Sequence, residues 1–324
     1  MRALVLGGHA GPRSLELREI PAPQPGAGEV RVKVLAIGIN RADLLQTIGR
    51  YPGPPMEHEV PGLEYAGVVE ELGPGAAPEL QGKGVCGILA GGAYAEHVVT
   101  AAELLLPVPA GFSFEQAAAI PEVFLTAYDA LHNRGQIQRG ETVLVHAAAS
   151  GVGIAALQLA RLAGVRALAT LRSASKVEAL KAWLDEPPLV LSEPKFAAAV
   201  RERSAGRGAD VILDFVGAAY LEENLRALAP RGRLVVIGLM GGASATLDLG
   251  RLLTQRLRIE GTVLRSRPLA EKIALTQAFR SLMPHFEDGR LAPVIDSVYP
   301  FEQAAQALER MAANLNTGKL ILTV

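Results

Sequence analysis

Near-continuous apolar runs of strand length recur through the middle of the chain and alternate with segments of helical period. The runs cover residues 141–145, 165–170, 210–216, 232–238 and 257–263, and helical patterns lie between them over 154–163, 176–183 and 220–228. Strands apolar on both faces and joined by helices predict a parallel sheet covered on both sides. The first 120 residues read differently. Short β-like runs over 1–6, 29–35, 66–70, 84–89 and 94–99 are separated by glycine and proline clusters, which predicts a barrel-like β domain. A helix is expected to begin near Phe114. After about residue 266, helices over 269–282 and 301–313 precede a final strand over 319–324. That tail is expected to rejoin the first domain. The organisation expected is thus a β domain over 1–120, an α/β domain over 121–265 and a return over 266–324, with the cleft between the domains as the default ligand site.

One strand-to-helix junction carries chemistry. His146-Ala-Ala-Ala-Ser-Gly-Val-Gly153 follows the first apolar run and opens the next helical pattern. Small residues there let the backbone approach a pyrophosphate, and the helix offers its free N–H groups and positive dipole end. The usual fingerprint is G-x-G-x-x-G. Here Ala148-x-Ser150-x-x-Gly153 replaces two of the three glycines, and an ordinary tight turn is the competing reading. Gly217 and Gly238-Leu-Met-Gly-Gly242 fall at the ends of later apolar runs, where ligands of parallel sheets bind; plain turn chemistry is their alternative. After the second run, Thr170-Leu-Arg-Ser-Ala-Ser-Lys176 has no acid before Glu178. An acid there would hold a ribose 2′-hydroxyl. Arg172, Ser173 and Lys176 suit a 2′-phosphate instead, so NADPH is expected over NADH. The alternative is a solvated cationic turn with Ser173 or Ser175 capping a helix.

Composition narrows the class. The 324 residues are 49% hydrophobic and 20% charged, with a formal net charge of −1. That suits a globular protein of two domains and gives no field for nucleic acid or a membrane surface. The one cysteine, Cys86, excludes an internal disulfide framework and a multi-cysteine zinc site. No apolar window reaches the length of a membrane span, and the first 30 residues do not read as a secretory leader, so a cytoplasmic location is expected.

A set of short motifs spans nearly the whole chain in order: Asn40-Arg-Ala-Asp-Leu-Leu-Gln46, Tyr51-Pro, Gly62-Leu-Glu-Tyr-Ala-Gly67, Leu89-Ala-Gly-Gly-Ala-Tyr-Ala-Glu96, Ala119-Ile-Pro-Glu122, Leu125-Thr-Ala127, Ser150-Gly-Val-Gly153, Gly238-Leu-Met-Gly-Gly242, Leu264-Arg-Ser-Arg267 and Thr317-Gly-Lys319. Through them the sequence resembles the zinc-free, zeta-crystallin-like quinone oxidoreductases of the medium-chain dehydrogenase/reductase superfamily, and within that group the tumour-suppressor-inducible subgroup. The resemblance implies a GroES-like β-barrel catalytic domain beside a Rossmann doubly wound parallel-sheet domain. It implies that Asn40, Leu63 and Glu122 stand where zinc-dependent members carry their catalytic ligands, and that the cysteine-rich structural zinc lobe is absent. No metal is expected, because a lone carboxylate cannot replace three ligands. Glu64 reads equally as a functional acid or a buried paired one, and His58 and His97 as loop and strand residues.

NADPH is expected to be held by Thr126, Ala149, Ser150, Gly151, Val152, Gly153, Arg172, Ser173, Lys176, Val216, Gly217, Gly238, Leu239, Met240, Leu264 and Lys319, of which the resemblance implies Thr126 near the nicotinamide and Ser150–Gly153 near the pyrophosphate. Asn40, Asp43 and Tyr51 would line the substrate side. Tyr51 is the preferred donor to a developing oxyanion, or a packing residue of a proline-rich loop. Asp43 is an orienter or a helix cap. Three functions follow: an NADPH:quinone reductase, a reductase of enal or enone double bonds, or a weakly catalytic nucleotide- or RNA-binding protein, against which the near-neutral charge weighs. The resemblance also implies a homodimer joined at the 257–263 strand edge.

Overall fold

The computed structural model describes every residue, Met1–Val324. The chain forms two compact units, Met1–Leu125 with Arg265–Val324, and Thr126–Leu264. The first opens with strands β1 (Arg2–Leu6), β2 (Leu15–Glu19) and β3 (Glu29–Ile39), helix α1 (Arg41–Thr47), strands β4 (Glu64–Leu72), β5 (Gly84–Ile88), β6 (His97–Ala101) and β7 (Leu106–Pro107), and helices α2 (Phe114–Ala118) and α3 (Pro121–Tyr128). The second runs β8 (Thr142–Val145), α4 (Gly151–Leu162), β9 (Arg166–Leu171), β10 (Leu189–Val190), α5 (Ala197–Arg203), β11 (Ala209–Asp214), α6 (Leu221–Ala227), β12 (Leu228–Val236), α7 (Leu249–Gln255) and β13 (Arg258–Gly261). The chain then returns to the first unit with α8 (Leu269–Arg280), α9 (Pro284–Glu287), β14 (Ile295–Pro300), α10 (Ala304–Ala312) and β15 (Lys319–Thr323). No helix is long and apolar enough to cross a membrane.

The first unit is built on β3. Val30, Val32 and Val34 point into its core and alternate with Arg31 and Lys33, the period expected of a strand with one wet face. Its sheet order is β14-β15-β3-β4-β5-β7, with β6 also paired to β3. Thus the last strand of the chain lies antiparallel against the third, with Leu320 opposite Ile39. Gly67 permits a close crossing of β3 and β4: a Cβ there would sit 2.0 Å from the Lys33 carbonyl oxygen. Strands β2 and β14 carry little periodic signal because each keeps most residues partly or fully exposed, and neither was expected from the pattern.

The second unit is a six-stranded sheet in the order β10-β9-β8-β11-β12-β13, parallel throughout. Val143–Val145 and every residue of β11 are buried, as a sheet covered on both faces requires. The order reverses at β8, with β9 on one side and β11 on the other, so the crevice beyond its carboxyl end is the natural ligand position. Two expectations fail here. Residues 176–183 form no α-helix, only 3₁₀ turns over Ala174–Lys176 and Glu178–Leu180. Of that stretch only Leu180 is buried, so it has no apolar face to hold a helix in place. Strand β12 starts at Leu228, four residues earlier than the pattern suggested, and passes through Pro230.

Candidate functional site

In the second unit the carboxyl ends of the strands collect most of the predicted cofactor residues. Ser150 caps α4, its hydroxyl accepting from the Gly153 N–H at 3.1 Å, so the residue that replaces a fingerprint glycine satisfies one of the free helix donors. Gly153 itself is required: a Cβ would meet Ala148 Cα at 2.7 Å. The loops after β11 and β12 are zipped together, Gly241 N–H to Val216 O at 2.7 Å and Ala218 N–H to Gly242 O at 3.0 Å. That joins Val216 and Gly217 to Gly238, Leu239 and Met240, the last two exposed. Arg172 follows β9 directly and is exposed; the Ser173 and Ser175 hydroxyls lie 2.7 Å apart rather than capping a helix. Ala149 and Leu264 are buried and Thr126 is half-buried on α3.

A buried polar thread beneath these loops was not expected from the sequence. His146 Nδ1 lies 2.8 Å from Thr170 Oγ1 and Nε2 lies 2.7 Å from Asn224 Oδ1. Asn224 Nδ2 donates to Asp214 Oδ2 at 3.0 Å, and Asp214 Oδ1 accepts from the Val216 and Gly217 N–H groups. Because the Asn224 amide nitrogen faces Asp214, its oxygen faces His146, so Nε2 carries the proton and Nδ1 accepts from Thr170. The thread ties the ends of β8, β9 and β11 to the glycine loop. Burial pushes His146 down to about 4, against the hydrogen bond to Asn224.

In the first unit the predicted substrate-side residues meet around one ammonium. Lys319 Nζ donates to Ile39 O at 2.7 Å, Asn40 Oδ1 at 2.8 Å and Glu64 Oε1 at 2.5 Å. Asn40 Nδ2 donates to the same Glu64 oxygen at 2.8 Å, and Glu64 Oε2 accepts the Glu122 N–H at 2.8 Å. The sequence reading set Lys319 against the cofactor. Its three N–H groups are instead spent inside the first unit, and only 3% of the residue is exposed. Asp43 Oδ2 accepts the Asn40 N–H at 2.8 Å and the Tyr94 hydroxyl at 3.1 Å, the capping arrangement weighed as its alternative. Three carboxyls share this region and one ammonium bonds directly to Glu64. The other two ionise late: burial pushes Asp43 up to about 6, and burial followed by the charge of Glu64 pushes Glu122 up to about 8.

Tyr51 packs against Arg265 instead. The buried Arg265 guanidinium sits 5.0 Å from the Tyr51 ring centroid and donates to Tyr51 O, Ala90 O and Gln46 Oε1 at 3.1, 2.6 and 2.8 Å. Gln46 in turn donates to Glu59 at 2.9 Å. Burial first, and then Glu122, hold the Tyr51 phenol above its usual range, so it remains an O–H donor at neutral pH. Glu122 and Arg265 were not assigned catalytic or positioning roles from the sequence. Both lie inside quoted motifs, but only the folded chain shows what surrounds them.

The neutral state of His146 makes stability depend on pH. Between pH 6.5 and 4 the unfolded chain binds a proton at this position that the folded chain refuses. The stability it supports is complete above pH 6.5 and falls as the pH approaches 4. In denaturant unfolding, the advantage of the parent over His146→Asn is expected to shrink between pH 7 and pH 4 by up to about 3 kcal/mol. An advantage that stays constant across that range would refute the assignment.

Comparison with known proteins adds two family models. Residues 26–110 match the alcohol dehydrogenase GroES-like domain and residues 190–322 match the zinc-binding dehydrogenase model. The synaptic vesicle membrane protein VAT-1 homolog of Homo sapiens is 31% identical over 99% of this chain and 86% of its own length. The pikromycin polyketide synthase component PikAII of Streptomyces venezuelae is 36% identical over 94% of this chain, which spans only 8% of that protein. Among solved structures, an NAD-dependent alcohol dehydrogenase superposes with a TM-score of 0.90 at 33% identity, and a mycobacterial quinone oxidoreductase with 0.84 at 32%, each covering 100% of both chains. The JamJ enoyl reductase gives 0.89 at 26% identity over 99% of this chain and 98% of its own. With a GroES-like unit, a Rossmann-type parallel sheet and these relatives, the chain belongs to the medium-chain dehydrogenase/reductase superfamily of nicotinamide-dependent oxidoreductases.

Proposed function

We propose that this chain is an NADPH-dependent, zinc-independent reductase of quinones, of the zeta-crystallin-like branch. The observation that carries the reading is the Lys319–Glu64–Asn40 cluster. Zinc-dependent members of the superfamily need three protein ligands with free lone pairs. Here both Glu64 oxygens are already engaged, Oε1 by the Lys319 ammonium and the Asn40 amide and Oε2 by the Glu122 N–H. No group of three histidine, cysteine, aspartate or glutamate side chains is placed to hold a metal ion. The residues do not fit zinc, and an alcohol would lack the Lewis acid it needs. A quinone needs less help, because it accepts hydride directly.

NADPH supplies the hydride when bound. The chain holds the cofactor through the glycine loop, Ser150–Gly153 and the zipped 216–218 and 238–242 loops. On the substrate side, Tyr51 O–H donates to the oxygen that gains charge, and Arg265 fixes the tyrosine. Protonated Glu122 supplies the proton that completes the hydroquinone. The same groups serve an activated C=C bond, and the enoyl reductase relative favours that as the second reading. The test is kcat/KM across pH for the parent, Tyr51→Phe and Glu122→Gln with a quinone, an enone and an alcohol. Quinone turnover is expected to exceed the others and to fall above pH 8 as Glu122 ionises, and Glu122→Gln is expected to lose that limb. Tyr51→Phe is expected to cost about tenfold on the quinone and about a hundredfold on the enone. Preferred enone turnover supports the second reading; alcohol oxidation would overturn both.

Cofactor choice rests on Arg172. One structural relative is named as NAD-dependent, but here the first acid after β9 is Glu178, exposed and paired with Lys181 at 2.5 Å. NADPH is expected to bind more tightly than NADH, and Arg172→Ala to erase about 1.5–3 kcal/mol of that difference. Equal affinities in the parent would refute the assignment.

We further propose a homodimer joined at β13, which is the sheet edge and leaves Ile259 exposed. Light scattering is expected to give twice 34.1 kDa at micromolar protein. A purely monomeric species would refute it.

A further inference from the structure

At the amino ends of β8, β11, β12 and β13, the pole of the sheet opposite the glycine loops, lies an open pocket of ≈390 Å³. Five arginines line it, Arg207, Arg231, Arg233, Arg256 and Arg258, against two acids, Glu141 and Asp210. The acids are already committed. Arg233 pairs with Glu141 at 2.7 Å and donates to the Gly135 and Gln136 carbonyls, while Arg207 pairs with Asp210. Arg258 donates to Gln136 Oε1 at 3.0 Å and pairs with Glu260 at 3.3 Å. These contacts fix the pocket's floor. Arg231 and Arg256 have no hydrogen-bond or ion-pair partner for their guanidinium groups, and both are exposed.

Both free arginines also sit in left-handed backbone, at φ 64° and 54°. A residue with a Cβ is strained there, and glycine is not. The strain is carried at two positions that each add an uncompensated guanidinium to one polar pocket. A guanidinium presents paired N–H donors matched to phosphoryl oxygens. Two of them over a preformed cationic floor suit an anion with two adjacent charged groups. The geometry points to a second ligand site, separate from the cofactor loops, that takes a compact diphosphate anion between Arg231 and Arg256.

The test is a calorimetric titration of inorganic pyrophosphate at low salt, with saturating NADPH present so that the cofactor's own diphosphate position is filled. One equivalent is expected to bind the parent. Arg231→Gly/Arg256→Gly is expected to weaken it by about tenfold or more, and each single variant by less. Glycine fits both backbone conformations, so the double variant is expected to unfold at the same or a higher temperature and to keep its NADPH affinity. No binding by the parent at millimolar pyrophosphate, or equal affinity in the double variant, would overturn the proposal.

Discussion

The first unit depends on one buried ion pair. Lys319 belongs to the last strand, Glu64 to the start of β4, and Asn40 to the step from β3 into α1. Their hydrogen bonds, together with the bond from the Glu122 N–H, tie four separated stretches of chain at one point. Lys319 and Glu64 are almost wholly excluded from water. Burying two charges is costly and is offset only when every donor and acceptor is matched. Here the ammonium has three acceptors and both carboxylate oxygens have donors. Removing one partner would leave a buried charge alone, typically a loss of about 3–5 kcal/mol.

The same pair sets the chemistry around it. Burial, with no cation in direct contact to offset it, lets Asp43 and Glu122 retain protons above the usual carboxylate range. Around that pair stand two acids that hold their protons to higher pH than usual and a phenol. While protonated, each of these groups is a hydrogen-bond donor. Arg265 adds a fixed cation against the ring of Tyr51 and anchors its loop through backbone carbonyls.

The second unit solves a parallel problem with neutral groups. His146, Thr170, Asn224 and Asp214 lie in a largely apolar interior, with the His146 ring against Phe196 and Tyr220. Each polar atom of the thread finds a partner, so the loops that would meet a cofactor are held by directional bonds as well as by packing.

Much of this was written in local pattern. The central apolar runs predicted the parallel sheet, because a strand buried on both faces is mostly apolar. The small residues of 146–153 predicted a strand-to-helix turn, because few others fit where Gly153 abuts Ala148. Local pattern failed where burial is slight: β2, β14 and the 3₁₀ turns after β9 have no apolar face strong enough to announce them. It could not rank acids, either. Glu64, Glu122 and Asp43 look alike in sequence, and only folding brings a lysine from 255 residues away onto one of them. Which carboxyl is charged, which keeps its proton and where Lys319 spends its donors depend on distance and solvent exclusion, and these exist only once the tertiary structure has formed.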